Sequence, residues 1–123
     1  RLSAWKIRTI TEIKFMLYLD LTKNTNWPQA DARFAVYTFG TSSSAWTSLT
    51  GVAKQGETFK YYAASLADLE FVPTNYIMCR MNPANATNDW NNKWNQTSDL
   101  DISKKYCQIN SGAWDNSQTI SVL

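Results

Sequence analysis

The chain has 123 residues, the size of one domain that buries roughly two-thirds of its unfolded surface. Its composition, 44% hydrophobic and 18% charged, excludes a disordered chain, and no apolar run reaches the roughly 18 residues needed to span a bilayer. The 12 basic and 10 acidic residues are dispersed and leave a net charge of +2, so neither a nucleic-acid footprint nor membrane insertion is predicted.

Two further features of the composition limit the chemistry. The chain lacks histidine, which removes the commonest general base and the commonest metal ligand. Cys79 and Cys107 do not have the CxxC spacing of zinc or redox sites, so we predict no metal and no other cofactor. The two cysteines are explained equally well by a disulfide in an exported protein and by two buried free thiols.

The strands are predicted from alternation of apolar and polar residues, taken in chain order. Residues 1–12 show no period and are interpreted as a lead-in segment. From Ile13 to Leu21 the odd positions are all apolar, which predicts the first strand, and an Asn-rich loop containing Trp27 follows it. Residues 33–39 alternate again and predict the second strand.

Shorter strands are predicted in the remainder of the chain, with a turn bracketed by Gly51 and Gly56. Their ranges are 45–49, 58–64, 76–81, 100–102, 106–109 and 119–123. About seven to eight short strands, with turn signals about every 10 residues, predict an all-β fold. The expected architecture is an antiparallel β-sandwich of the immunoglobulin-like or jelly-roll type.

A polar loop at residues 90–97 carries the clearest functional signal. Trp90 and Trp94 lie four residues apart in it, among asparagines, Lys93 and Gln96. Indole faces match the C–H face of a pyranose, and amides and amines hydrogen-bond its hydroxyls. This composition indicates sugar binding by Trp90, Lys93, Trp94 and Gln96. The alternative interpretation is that the rings only pin the loop and the polar side chains are solvated.

Other aromatic and basic residues are interpreted from their positions. Tyr18 faces away from the apolar side of its strand, and Trp27 follows in the next loop, so both are candidates for one sugar-binding surface. Trp46 is predicted to pack in the core, whereas Trp114 is open between packing and binding. For two strand arginines, the prediction is a structural ion pair with a nearby aspartate; these are Arg33 and Arg80, with Asp31, Asp89 or Asp99 as partners.

Several motifs, taken together and in order, resemble a known family. They are residues 18–21 (YLDL), 26–27 (NW), 32–37 (ARFAVY), Trp46, 79–83 (CRMNP), 90–97 (WNNKWNQT), 106–107 (YC) and 112–115 (GAWD). In this order they are similar to the starch-binding modules of carbohydrate-binding module family 26, over about residues 13–123. Such modules are appended to bacterial amylases and to cell-surface starch-binding proteins.

The resemblance implies a β-sandwich without catalytic activity that binds α-1,4-glucans such as starch, amylose and maltooligosaccharides. It also implies an extracellular or cell-surface location. The chain begins at Arg1 and is interpreted as one module, residues 1–123, of a longer protein whose other domains are partners. One departure from the family is that its paired tyrosines in an early strand are not both present, so only Tyr18 and Trp27 correspond.

Two other classes of function compete with glucan binding. A glycosidase domain would need a carboxylate pair, and the acids near the loop are Asp89, Asp99 and Asp101, without a sequence sign of a raised pKa. A cell-surface adhesion or scaffold domain would use the same sandwich to bind protein or a different glycan.

Overall fold

The computed structural model describes residues 15–52, 58–116 and 118–121, which form two β-sheets packed face to face. The ten strands of these residues are β1 (Met16–Asp20), β2 (Arg33–Phe39), β3 (Ser44–Ser48), β4 (Thr50–Val52), β5 (Tyr61–Ser65), β6 (Asn75–Met81), β7 (Lys93–Gln96), β8 (Leu100–Asp101), β9 (Tyr106–Ile109) and β10 (Gln118–Ser121). Two short 3-10 helices, Gln29–Asp31 and Trp90–Asn92, lie in loops. The predicted all-β sandwich is confirmed.

The two sheets differ in strand order. The first runs β10-β9-β1-β5-β4, and the second runs β3-β2-β6, with β7 and β8 both paired to β6. Neighbouring strands are antiparallel except β1 and β9, which pair in parallel with Leu19 opposite Cys107. Side chains alternate with period two in both arrangements, so alternation alone did not predict the parallel pair.

Two of the strands were not predicted. The glycine at position 51 predicts a turn, but it lies in β4, which pairs with β5; glycine is needed there because a Cβ would collide with the ring of Phe59. The polar strand β7 had been interpreted as a loop. The first predicted strand begins before the described residues, which exclude Ile13, and Phe15 lies in a turn with 40% of its surface exposed.

The main core lies between the sheets. Leu17 and Leu19 of β1 pack towards Phe34 and Val36 of β2, as the alternation predicted. Trp27 is also part of this core: it is 1% exposed, and its ring stacks on Phe34 with the centroids 6.2 Å apart. The loop after β1 therefore folds inwards and closes one end of the sandwich.

Both cysteines are buried free thiols that belong to different clusters. Cys107 lies in the core between the sheets, whereas Cys79 lies in a second cluster on the outer face of the second sheet. Of the two alternatives left open by the sequence, the structure therefore has the free thiols. Burial raises the pKa of each thiol to about 12.

Candidate functional site

The outer face of the second sheet is apolar. Strand β2 directs Ala35 and Tyr37 away from the main core, and strand β6 does the same with Ile77 and Met81. On the outer face, Ala35, Ile77 and Met81 belong to the second cluster, and Tyr37 packs against it. Trp46 of β3 packs against it, since Trp46 is the register partner of Tyr37. Sheets of a sandwich usually expose alternating polar residues on this side, so the face is unusual.

Trp90 lies over this face. Its ring meets the rings of Tyr37 and Trp46 nearly edge to face, with centroids 4.9 Å and 4.8 Å away and planes at 60° and 64°. We call these three rings the aromatic platform. Tyr37 and Trp46 are half-buried and Trp90 is 41% exposed, so the first two support the ring that meets solvent. Trp46 thus packs as predicted, but against the outer cluster rather than between the sheets.

The loop that carries Trp90 is fixed by polar side chains. Asp89 caps the short 3-10 helix by accepting a hydrogen bond from the backbone N–H of Asn92 at 2.8 Å. The Asn92 amide donates to the carbonyls of Asn85 and Thr87, each at 2.9 Å. An Asx cap and two backbone contacts within the loop therefore fix the conformation of the turn that carries Trp90.

Arg33 holds the same loop from the sheet. Its guanidinium donates to the carbonyls of Asn85 and Thr87 at 3.0 Å and 2.7 Å, and to the side chain of Asn88 at 2.5 Å. The predicted ion pair with an aspartate is therefore wrong for Arg33. The planar guanidinium can donate to several carbonyl oxygens at once. Carbonyl oxygens of the loop backbone therefore take the place of the predicted aspartate carboxylate.

Two polar residues predicted from the sequence stand beside the platform. Lys93 and Gln96 of β7 pair with Met81 and Cys79 of β6 and lie on the same outer face. The Lys93 amine is 5.8 Å from the Trp90 ring centroid and donates to Oε1 of Gln96 at 2.5 Å. Trp90, Lys93 and Gln96, which the sequence grouped, are thus brought together.

Trp94 is separated from that group. The register of β7 on β6 shifts between Arg80 and Met81, and Trp94 contacts the guanidinium of Arg80, 4.7 Å from the ring centroid. Trp114 contacts the same guanidinium at 5.2 Å. Arg80 belongs to the inward-facing residues of β6, so Trp94 and Trp114 lie across β7 from the platform. We call them the tryptophan pair.

Arg80 is buried, with 6% of its surface exposed, and its partners are carbonyl and amide oxygens. It donates from Nε to the backbone oxygen of Trp27 at 2.8 Å, from Nη2 to that of Gln29 at 2.7 Å, and from Nη1 to Asn95 at 3.0 Å. The predicted ion pair is wrong here too. A buried cation is stable because its donors are satisfied and because it lies against aromatic faces.

The predicted pairing of Tyr18 with Trp27 on one surface is wrong. Trp27 is in the core, where its indole N–H donates to the backbone oxygen of Trp114, so it has no face free for a sugar. Tyr18 is half-buried on the outer face of the first sheet, with its ring centroid 6.5 Å from that of Tyr106. The apolar character of an indole favoured burial once the loop folded over the sandwich end.

The outer face of the first sheet also holds a buried carboxylate. Asp20 is 2% exposed and accepts hydrogen bonds from the Tyr106 hydroxyl at 2.5 Å and from the Gln108 amide at 2.8 Å. Burial raises the pKa of Asp20, but these bonds and those from Thr22 outweigh burial and lower its pKa overall. The ionised carboxylate therefore ties β1 to β9.

Tyr37, Trp46 and Trp114 complete these surfaces but were not selected from the sequence. The alternation of β2 places Tyr37 on the face opposite Phe34 and Val36, and this was the sequence signal that could have identified it.

Among the residues that the structure describes, three or more acids and cysteines nowhere gather into a metal-binding group. Within residues 15–52, 58–116 and 118–121 there is also no helix long and apolar enough to cross a bilayer.

The fold and these surfaces define the chain as an all-β sandwich domain with two exposed aromatic sites, the platform and the tryptophan pair. Comparison with protein-family models, with curated proteins and with solved structures finds no match to the chain.

Proposed function

We propose that this domain is a non-catalytic carbohydrate-binding module of the family 26 type that binds α-1,4-glucans such as starch, amylose and maltooligosaccharides. The observation that carries the proposal is the exposed ring of Trp90, braced on Tyr37 and Trp46 beside Lys93 and Gln96. The rigid indole stacks on the C–H face of a glucose unit, and the Lys93–Gln96 pair hydrogen-bonds its hydroxyls.

The platform presents one exposed ring to a ligand, because half-buried Tyr37 and Trp46 meet Trp90 edge to face, with planes about 60° apart. A single ring stacks on one glucose unit of a curved, helical α-1,4-glucan, whereas a straight β-1,4-glucan suits a row of exposed coplanar rings. One stacked sugar and about three hydrogen bonds, each worth about 1 kcal/mol, total about 4 kcal/mol and correspond to a Kd on the order of 1 mM.

The surroundings of three acids, Asp20, Asp89 and Asp101, support a module without catalytic activity. A glycosidase needs a carboxyl group whose pKa is raised so that it is protonated near neutral pH. The backbone N–H of Ser103 donates to Asp101 at 2.8 Å and lowers its pKa, and Asp20 is lowered as well. Asp89 serves as a helix cap. We accordingly propose a binding module attached to an amylase or another glycoside hydrolase, at the cell surface or outside the cell.

The test is a titration with maltoheptaose and with cellohexaose, followed by tryptophan fluorescence and by heat. We expect saturable binding of maltoheptaose only, and at least about 10-fold weaker platform binding in Trp90→Ala. Tyr61→Ala is the matched control, because Tyr61 is a similarly exposed ring at 43% but lies on the other sheet. Absence of maltoheptaose binding to the wild type would refute the proposal.

The alternative function is a cell-surface adhesion or scaffold domain. An open groove of about 290 Å³ along the connection between β5 and β6 is lined by Phe15, Leu69, Phe71, Val72 and Pro73, and Val72 is 86% exposed. Exposed apolar surface of this kind suits contact with a protein. Failure to bind either oligosaccharide would favour this function over glucan binding.

A further inference from the structure

The tryptophan pair is exposed although indoles are usually covered. Trp94 is 39% exposed and Trp114 is 41% exposed, and both lie against the one guanidinium of Arg80. Two large apolar rings held in water on one edge of a domain form a surface that a ligand can cover.

Arg80 holds the pair in a fixed arrangement. Its three donating nitrogens are each engaged with the protein, by two backbone carbonyls and the side chain of Asn95. The guanidinium therefore cannot swing out towards solvent without losing these bonds. The guanidinium acts as a rigid spacer against which both indoles pack. Its positive charge is stabilised by the protein oxygens that accept its hydrogen bonds. A ligand of the pair consequently does not have to be anionic.

The loop that carries Trp114 is also held at several points. Trp27 donates to the backbone oxygen of Trp114 at 2.8 Å, and Asn24 donates to that of Ala113 at 2.9 Å. Asp115 accepts from the backbone N–H of Gln96 at 2.7 Å, which ties the loop to β7. Both rings are thus preorganised, and preorganisation lowers the entropy lost on binding.

Polar groups adjoin the rings. Asn95 and Asp115 follow Trp94 and Trp114 in the sequence, and their amide and carboxylate are linked at 3.3 Å at the surface. They offer donors and acceptors beside two apolar faces. This combination suits an uncharged polyol with one apolar face, which is the chemistry of a hexopyranose.

We propose that Trp94 and Trp114 form a second glucan-binding surface, so that one domain holds two segments of α-glucan on the two sides of β7. This inference rests on the proposed function. Trp94 contacts Arg80, while its neighbour Lys93 contacts the platform ring of Trp90, so the two surfaces are separate. Two weak sites on one domain increase retention on a granule through effective concentration.

The primary test uses the wild-type domain and needs no substitution at the surface in question. Maltoheptaose is titrated while the indole N–H signals of the tryptophans are followed by NMR. We expect the signals of Trp90, Trp94 and Trp114 to move and that of buried Trp27 to stay nearly unchanged. Movement of Trp90 alone overturns the second surface and keeps the proposed function, whereas no movement of any of the three overturns both.

Movement of Trp94 and Trp114 without Trp90 would support binding at the pair but overturn the two-surface proposal. Calorimetry on variants then counts the sites. The wild type should bind two equivalents of maltoheptaose, and both Trp90→Ala and the double variant Trp94→Ala/Trp114→Ala should bind one.

Retention on insoluble starch should fall about 10-fold or more in either variant. If the double variant unfolds, Trp114→Ala provides a second substitution, because Trp27 bonds to the backbone oxygen of Trp114 and not to its ring. It should weaken binding at the pair, as reported by the Trp94 signal, and leave the Trp90 titration unchanged. A double variant that folds and still binds two equivalents overturns the inference.

Discussion

The indole N–H of Trp27 donates a hydrogen bond to the backbone carbonyl of Trp114, 2.8 Å away, and the backbone carbonyl of Trp27 accepts from Nε of Arg80 at the same distance. One buried residue therefore positions both the loop that carries Trp114 and the cation between the exposed tryptophans. Buried Trp27 thus supports the two exposed rings of the tryptophan pair.

Replacing Trp27 by Phe tests this supporting role. The variant keeps a ring against Phe34 but removes the N–H, so we expect a loss of about 1–3 kcal/mol in the free energy of unfolding, measured with denaturant. The indole signals of Trp94 and Trp114 should shift or broaden, while the signal of Trp90 should not. Equal perturbation of all three signals would show that Trp27 acts only through global stability.

Replacing Gln96 by Leu tests the polar part of the platform. The substitution removes the oxygen that accepts from Lys93 at 2.5 Å but keeps the bulk of the side chain. We expect maltoheptaose affinity at the platform to fall about 5- to 10-fold, since a ligand hydrogen bond is worth about 1 kcal/mol. Titration followed by the Trp90 signal measures it.

The control for Gln96→Leu is Asn91→Ala, in the short 3-10 helix that precedes β7. Asn91 is exposed, and its substitution should leave the affinity unchanged. An unchanged affinity in Gln96→Leu would exclude the Lys93–Gln96 pair from the site.

Acid should weaken the fold through Asp20. Its pKa is lowered from the ordinary value of 3.8 in the folded domain, so its stabilisation is fully present above about pH 4 and is lost as the pH falls through the lower, folded pKa. Asp20→Asn should destabilise the domain by about 2 kcal/mol at pH 7, because charged hydrogen bonds are lost. Unfolding curves between pH 7 and pH 2 should show this difference shrinking at the acid end.

The exposed Asp68 provides the matched control for Asp20. Asp68→Asn should change the free energy of unfolding by no more than about 0.5 kcal/mol at pH 7. A difference between wild type and Asp20→Asn that stays constant down to pH 2 would contradict a role for the ionised carboxylate.

Cys79 and Cys107 should be inert in the folded domain. Their burial raises both pKa values to about 12, so the reactive thiolate is scarce at neutral pH and a reagent cannot reach it. A colorimetric thiol reagent should react with neither cysteine in buffer and with both in denaturant. Detection of fewer than two thiols after unfolding without a reductant would contradict the free-thiol state.

The strands that alternate in composition could be predicted because burial of one face imposes period two on the residues themselves. Leu17 and Leu19, and Phe34 and Val36, are examples. The strand β7 could not be predicted this way, because its four residues are Lys, Trp, Asn and Gln. It is a strand because β6 offers an edge to pair with, and that edge exists only in the folded sheet.

The candidate functional residues also divide into those that composition selects and those that only the folded structure brings together. Composition by itself determined that residues 90–97 are polar, aromatic and too hydrophilic for a core, which selected Trp90, Lys93, Trp94 and Gln96 from a segment that proved to be partly the strand β7. Only the tertiary structure decided that Trp90 rests on Tyr37 and Trp46, because these rings come from strands distant in sequence.

The tertiary structure also decided on which side each tryptophan lies. The register shift on β6 turns Trp94 towards Arg80 and away from Trp90, although the two are four residues apart. Trp27 and Trp114 have equally apolar rings, yet one is buried and the other is exposed. A sequence specifies which side chains are apolar; whether a ring is covered depends on which other elements fold over it, and that is set by long-range packing.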